Sequence, residues 1–177
     1  GYELDESRTI DPRYTDLLAD FTTLRFMPYL SSNTHWVDNQ WDCNSPASID
    51  WEDRASPNNP QTLNGRKGGA WEWAVEICNE LDKDMWINIP LIASDQYVTE
   101  LAKYLKGNLK PTLNVNIELG NETWNTAGGF CCFRQLVDHF CGDDWGCHQR
   151  WPAKRLKTVV DIFAAQFGWD EINNRIR

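Results

Sequence analysis

Leu113-Asn114-Val115-Asn116-Ile117-Glu118-Leu119-Gly120-Asn121-Glu122-Thr123-Trp124-Asn125 reads as a β-strand that runs into a turn. Val115, Ile117 and Leu119 alternate with Asn114, Asn116 and Glu118, and side chains two apart share one face of a strand. Beyond the strand stands a carboxylic acid, Glu122, with an amide before it and an indole two residues on. Those groups suffice to protonate a glycosidic oxygen. A second Asn-Glu pair, Asn79-Glu80, falls inside a predicted helix, so strand context alone separates the two.

Two other segments share the pattern. Thr22 to Tyr29 reads as a strand closed by Pro28, with Leu24 and Phe26 alternating with Arg25. Met85 to Pro90 reads as a second, with Ile87 and Ile89 alternating with Trp86 and Asn88. One face of each strand is aliphatic and can meet helices. The other is polar, whereas parallel sheets are normally buried on both faces. A closed barrel tolerates inward polar residues that pair with one another, and Arg25, Asn88, Asn116 and Glu118 are candidates for such a network. The pattern therefore favours a (β/α) barrel over an open doubly wound sheet. If the pleat continues past Gly120, Glu122 also faces inward at the C-terminal end of its strand, where such barrels place catalytic groups.

Helical patterns alternate with these strands. Asp11-Pro12 starts a helix, with Asp as N-cap and Pro in the first turn. Leu17, Leu18 and Phe21 follow on one face. Ala70 to Lys83 carries Trp73, Ile77 and Leu81 in helical register. Ser94 to Leu105 is predicted to bury Tyr97, Val98, Leu101, Ala102 and Leu105. Ala153 to Phe167 forms another helix, ended by Gly168. Asn174 to Arg177 resembles the opening of a further strand. The order α-β-α-β-α-β-α-(β) predicts an α/β fold with parallel strands and crossover helices. A polar βα loop spans 31–69, and a cysteine-rich insert spans 127–150. Loops of the first kind are usually functional or disordered.

The 177 residues suffice for one domain, 1–177, with a real core. A formal charge of −9 argues against nucleic acid as partner. No run of 18 apolar residues is present, so no membrane span is expected. The chain opens at Gly1 without a visible signal peptide, as expected of a processed or partial product. Ten tryptophans suggest flat faces on which sugar rings stack, set against ordinary packing for any single ring.

Six cysteines, Cys43, Cys78, Cys131, Cys132, Cys141 and Cys147, fit three disulfides in an oxidising compartment. The rival is a zinc site built from Cys131, Cys132, Cys141, Cys147 and His148, which lacks paired C-x2-C spacing. Adjacent Cys131 and Cys132 are expected to bond to different partners. The three histidines form no triad. His35 and Trp36, in the long loop, are candidates for substrate contact, against a solvated loop histidine.

These residues resemble the superfamily of retaining glycoside hydrolases on (β/α)8 barrels that contains many cellulases, mannanases and β-galactosidases. There the fourth strand ends in Asn-Glu, matched by Asn121-Glu122, and an Arg near the end of the second strand supports the catalytic carboxylate, matched by Arg25. Leu24-Arg25-Phe26-Met27, Trp86-Ile87-Asn88-Ile89-Pro90, Asp95-Gln96-Tyr97-Val98 and the Glu118 to Asn125 stretch look more closely like a group of secreted proteins labelled cellulose-binding or glycosidase-like. The resemblance covers about Thr22 to Arg177. It implies a partial TIM barrel, strands two to five, stapled by disulfides. A full barrel takes about 250 residues, so the partners implied are an oligo- or polysaccharide and the remaining half of the barrel or another chain.

The resemblance implies that Glu122 is the acid/base, that Asn121 binds the sugar 2-OH, and that Arg25, Trp124 and Asn88 line the site, with no cofactor and no metal. The nucleophile is expected on a seventh strand. Glu118 cannot replace it, because four residues along a strand span about 13 Å and a retaining pair sits about 5–5.5 Å apart. The competing expectation is a non-catalytic, extracellular glycan-binding or structural protein on a degenerate barrel. Asn121-Glu122-Thr123 is also the one N-glycosylation sequon in the chain. A zinc- or redox-active protein using the cysteine cluster is the third reading.

Overall fold

Three parallel strands in the order β1-β2-β3 carry the molecule. The computed structural model describes residues 10–30, 48–58, 67–123 and 137–177. Its elements are α1 (Pro12–Leu18), β1 (Thr23–Arg25), a single 3-10 turn (Trp51–Asp53), α2 (Trp71–Leu81), β2 (Asp84–Ile89), α3 (Asp95–Asn108), β3 (Val115–Leu119), α4 (Trp145–Phe167) and α5 (Trp169–Arg175). Leu24 pairs with Met85. Met85, Ile87 and Ile89 pair with Val115, Ile117 and Leu119. This register puts every aliphatic strand residue on one face, and α2, α3 and α4 bury it.

Local chemistry accounts for the helices. The Asp11 carboxylate accepts from the Arg13 backbone N–H at 2.9 Å and caps α1, with Pro12 pre-set in the first turn. Hydrogen bonding from the Arg13 guanidinium holds that carboxyl down at about 2. Ser94 caps α3 by accepting from Tyr97 N at 3.0 Å. The five residues predicted for the inner face of α3 are the five it buries. In α2 the fully buried stripe is Trp71, Ala74, Val75 and Cys78, one position round from the predicted Trp73, Ile77 and Leu81. Trp71 decides that rotation, because its indole N–H donates to the Tyr97 hydroxyl at 2.7 Å inside the core.

Several sequence expectations are corrected. The first strand ends at Arg25. Only Phe26 N still bonds to β2, at Trp86 O, and the chain then turns through Pro28, with Leu30 N on Phe26 O. Helix α4 starts at Trp145, eight residues before Ala153, and contains Pro152. Asp144 caps it through Cys147 N, and the Cys141–Cys147 disulfide ties its first turn to the preceding helical turn. Asn174 and Arg175 belong to α5, not to a strand. Only Ile176 and Arg177 join the sheet, through a parallel bridge to Val115.

Part of the 31–69 loop is tied down. Ile49 bridges Ala93 in parallel. Trp51 N donates to Gln96 Oε1 at 2.9 Å, and the Arg54 guanidinium lies 3.9 Å from the Trp51 ring while it pairs with Glu72 at 2.7 Å. Trp51 is thus a packing wedge between the loop and α3.

The three-disulfide expectation does not hold, because Cys78 is a free thiol at 0 % exposure in the core. Burial, with Asp84 adding to it, pushes this thiol up to about 12. Cys78 is expected to resist alkylation at pH 8 in the native protein and to react fully on unfolding. Peptide mapping after labelling, with and without urea, checks this. Cys43, Cys131 and Cys132 lie outside the described residues. Among the described residues, no helix is long and apolar enough to cross a membrane.

Among the described residues, no helix or strand lies over two surfaces. One is the polar face of the sheet. The other is the outer edge of β1, where Tyr14, Leu18, Phe21, Leu24 and Ile77 line an apolar groove of about 590 Å³.

Candidate functional site

The polar strand residues form a ladder on the uncovered face. Arg25 sits opposite Trp86, Trp86 opposite Asn116, and Asn88 opposite Glu118. At the foot of the ladder, Asp84 accepts from both the backbone and the side-chain nitrogen of Asn114 at 2.8 Å. Higher up, Glu118 Oε2 accepts from Arg25 Nη2 at 2.7 Å and from Trp86 Nε1 at 3.0 Å. The same Arg25 nitrogen donates to Asn121 Oδ1 at 2.8 Å. The guanidinium carbon lies 4.9 Å from the centre of the Trp86 ring.

This chain of contacts orients the amide of Asn121. A guanidinium only donates, so it draws the Asn121 oxygen towards itself and turns the NH2 group the other way. Glu118 in turn holds Arg25. The ion pair is about one-third exposed on each side (34 % and 31 %), so its weight lies in orientation more than in stability.

The turn after β3 is built by glycine. Gly120 N donates to Ile89 O at 2.7 Å, and Asn88 Nδ2 donates to Gly120 O at 2.6 Å. Gly120 has φ +64°, and a Cβ there would lie 2.9 Å from Leu91 Cγ. Asn88 is fully buried, and its Oδ1 has no partner among the described residues. Gly120→Ala should cost about 1–2 kcal/mol from the left-handed backbone. Gly107→Ala, in open space on α3, should instead add up to about 1 kcal/mol. Urea unfolding of the two variants checks the contrast.

The pleat does not carry through to Glu122. The chain leaves strand geometry at Gly120, and Glu122 itself is left-handed, with φ 48°. Asn121 is buried at 8 % exposure on the network, and Glu122 stands exposed beside it at the C-terminal end of β3. The inward-pleat expectation for Glu122 is therefore replaced by placement through a turn. Asn121, the acceptor residue of the sequon, is the buried member of the three.

Arg25, Asn88 and Asn121 come together, with Glu122 next in the chain. Trp124, His35 and Trp36 lie outside the described residues. Asn79-Glu80 is structural: Asn79 donates to Asn108 O and accepts from Lys110 N, each at 2.8 Å. Trp86 is the residue that sequence reasoning left out of the site. Its signal was an indole on the polar face of a strand.

Two of the five candidate zinc ligands, Cys131 and Cys132, lie outside the described residues. Cys141 and Cys147 are bonded to each other. His148 Nε2 faces Gly142 O at 3.0 Å and Asp138 Oδ1 at 3.3 Å. Among the described residues, no cluster of three or more His, Cys, Asp or Glu could hold a metal.

No protein-family model matches the chain. No curated protein and no solved structure matches it either.

Proposed function

We propose that the chain is part of a (β/α)8 barrel in a secreted carbohydrate-active protein, and that it hydrolyses β-linked glycans with retention, using Glu122 as acid/base. The observation that carries this is the Arg25–Asn121 hydrogen bond at the C-terminal end of β3, which fixes an amide donor beside an exposed carboxylic acid. Two further features support the barrel. On the polar sheet face Arg25 and Trp86 both bond to Glu118, the kind of side-chain pairing that a barrel interior requires. The apolar groove along β1 is where a neighbouring strand and helix would pack. The Cys141–Cys147 disulfide suits an oxidising, extracellular setting.

In this mechanism Glu122 gives its proton to the leaving glycosidic oxygen as a second carboxylate attacks the anomeric carbon. It then takes a proton from the water that releases the sugar. The second carboxylate is supplied by a strand other than the three described. Glu118 does not fill that role, because its place lies four residues lower on the chain than Glu122, beyond the reach of a retaining pair. Asn121 donates to a hydroxyl of the bound sugar.

A non-catalytic glycan binder is the second reading, favoured by the single carboxylate at the turn. Assaying the protein with its complete barrel against β-linked glycans, beside Glu122→Gln, separates the two. Turnover lost in the variant supports the enzyme. Glycan binding without turnover in both proteins supports the binder.

A further inference from the structure

Among the described residues, Asn88 is the most deeply buried polar side chain, at 0 % exposure. It stands one residue before the end of β2, opposite Glu118. From there β2 grips Gly120 on both sides of its Cα. The Gly120 N–H donates to Ile89 O at 2.7 Å, and Gly120 O accepts from Asn88 Nδ2 at 2.6 Å. Peptide units are planar, so these two bonds hold the planes before and after the glycine and set its left-handed turn, φ +64°. The second of those planes leads into Asn121.

A continued parallel ladder would draw the donor for Gly120 O from the backbone of Leu91. By then the chain has turned, with Ala93 N on Pro90 O, and the Asn88 amide takes that place. A carbonyl only accepts, so Nδ2 must face Gly120 and Oδ1 must face away. That Oδ1 is buried without a partner among the described residues. An apolar side chain of the same shape would strand no acceptor of its own, so stability alone does not call for an amide here. What the amide supplies is the placement of the turn.

Asn121 is then held at two ends. Asn88 fixes the peptide that enters it, and Arg25 Nη2 holds its Oδ1 at 2.8 Å. Glu122 follows directly, at φ 48°. We infer that Asn88 is a positioning residue. Through the Gly120 carbonyl it sets the height and direction at which the turn presents Asn121 and Glu122. Full burial keeps it from touching substrate itself, in contrast to the lining role that the resemblance implies. The use made of the turn rests on the function proposed above, whereas the grip on Gly120 does not.

Nuclear magnetic resonance of the 177-residue chain tests the grip. In the native protein one Asn88 Nδ2 proton should resonate apart from the other and exchange slowly, as a buried bonded proton does. Two equivalent, fast-exchanging protons overturn the grip. Asn88→Leu keeps the branched shape and removes the donor. It exchanges one stranded acceptor, Asn88 Oδ1, for another, Gly120 O, so the urea midpoint should stay close to the native one. Exchange of the Gly120 amide should still quicken by about ten-fold or more, with Leu101 in α3 unchanged. An unchanged Gly120 amide, or an equal quickening of Leu101, overturns the positioning role. In the protein with its complete barrel, Asn88→Leu should lower kcat on β-linked glycans on the order of 100-fold, the effect of misplacing a reacting group by about 1 Å. KM should stay within a few-fold. A raised KM with unchanged kcat would make Asn88 a substrate contact and overturn the role. A native protein without turnover would sink the catalytic reading, while the exchange measurements still decide the grip.

Discussion

Glu122→Gln is expected to lower turnover of β-linked glycans by about 10²–10⁴-fold while leaving glycan affinity within a few-fold. Gln keeps the size of Glu and tolerates the left-handed backbone at this position about as well, so the turn at Gly120 should survive. What it loses is the proton. Substrates with a poor leaving group depend on that proton in the first step and should suffer most. Aryl glycosides with a good leaving group should keep a fast first step and accumulate the covalent intermediate. Added azide should then restore release, because an anionic nucleophile needs no base. Equal losses on both substrate types, without azide rescue, would show that the variant acts through structure. Unchanged kcat/KM on both would remove Glu122 from the chemistry.

Arg175→Met is expected to destabilise the fold by about 3–5 kcal/mol. Arg175 is 5 % exposed. Its Nε donates to Leu113 O at 2.6 Å, and Nη2 donates to Lys110 O at 2.8 Å and Leu109 O at 3.1 Å. Nη1 pairs with Glu171 at 2.8 Å. One planar fork therefore satisfies three carbonyls of the turn between α3 and β3. Met fills much of the volume but supplies no donor, and each stranded carbonyl costs about 1–3 kcal/mol. The turn that starts β3 and the Ile176–Val115 bridge should loosen together. Arg175→Lys should recover only part of the loss, since a point charge cannot match the fork. A change below about 1 kcal/mol for Arg175→Met in urea unfolding would contradict the role assigned to the side chain.

The elements that were legible beforehand share a property. The inner face of α3 follows from 3.6-residue spacing, because a helix that buries five apolar side chains has one way to do so. The strands follow from period-two alternation, which also separated the aliphatic face from the polar one. The misread segments depended on distant partners. Arg175 looked like part of a strand until its guanidinium met the carbonyls of Leu109, Lys110 and Leu113. The helix expected from Ala153 instead starts at Trp145 and runs through Pro152, its first turn tied by the Cys141–Cys147 bridge. Cys78 entered the disulfide count by parity alone, whereas core burial removed it.

By itself the sequence determined the alternation of strands and helices, the polar face of the sheet, and Asn121-Glu122 at the end of a strand. Each is local, set by side-chain period and by turn-forming glycine within a few residues. Only the tertiary structure decided that Arg25 reaches Asn121 across 96 positions of chain, that Trp86 belongs to the same network, and that Glu122 is presented by a turn and not by the pleat. The register of three parallel strands decides those contacts. Register depends on how the helices pack against the other face, and no short window of residues contains it.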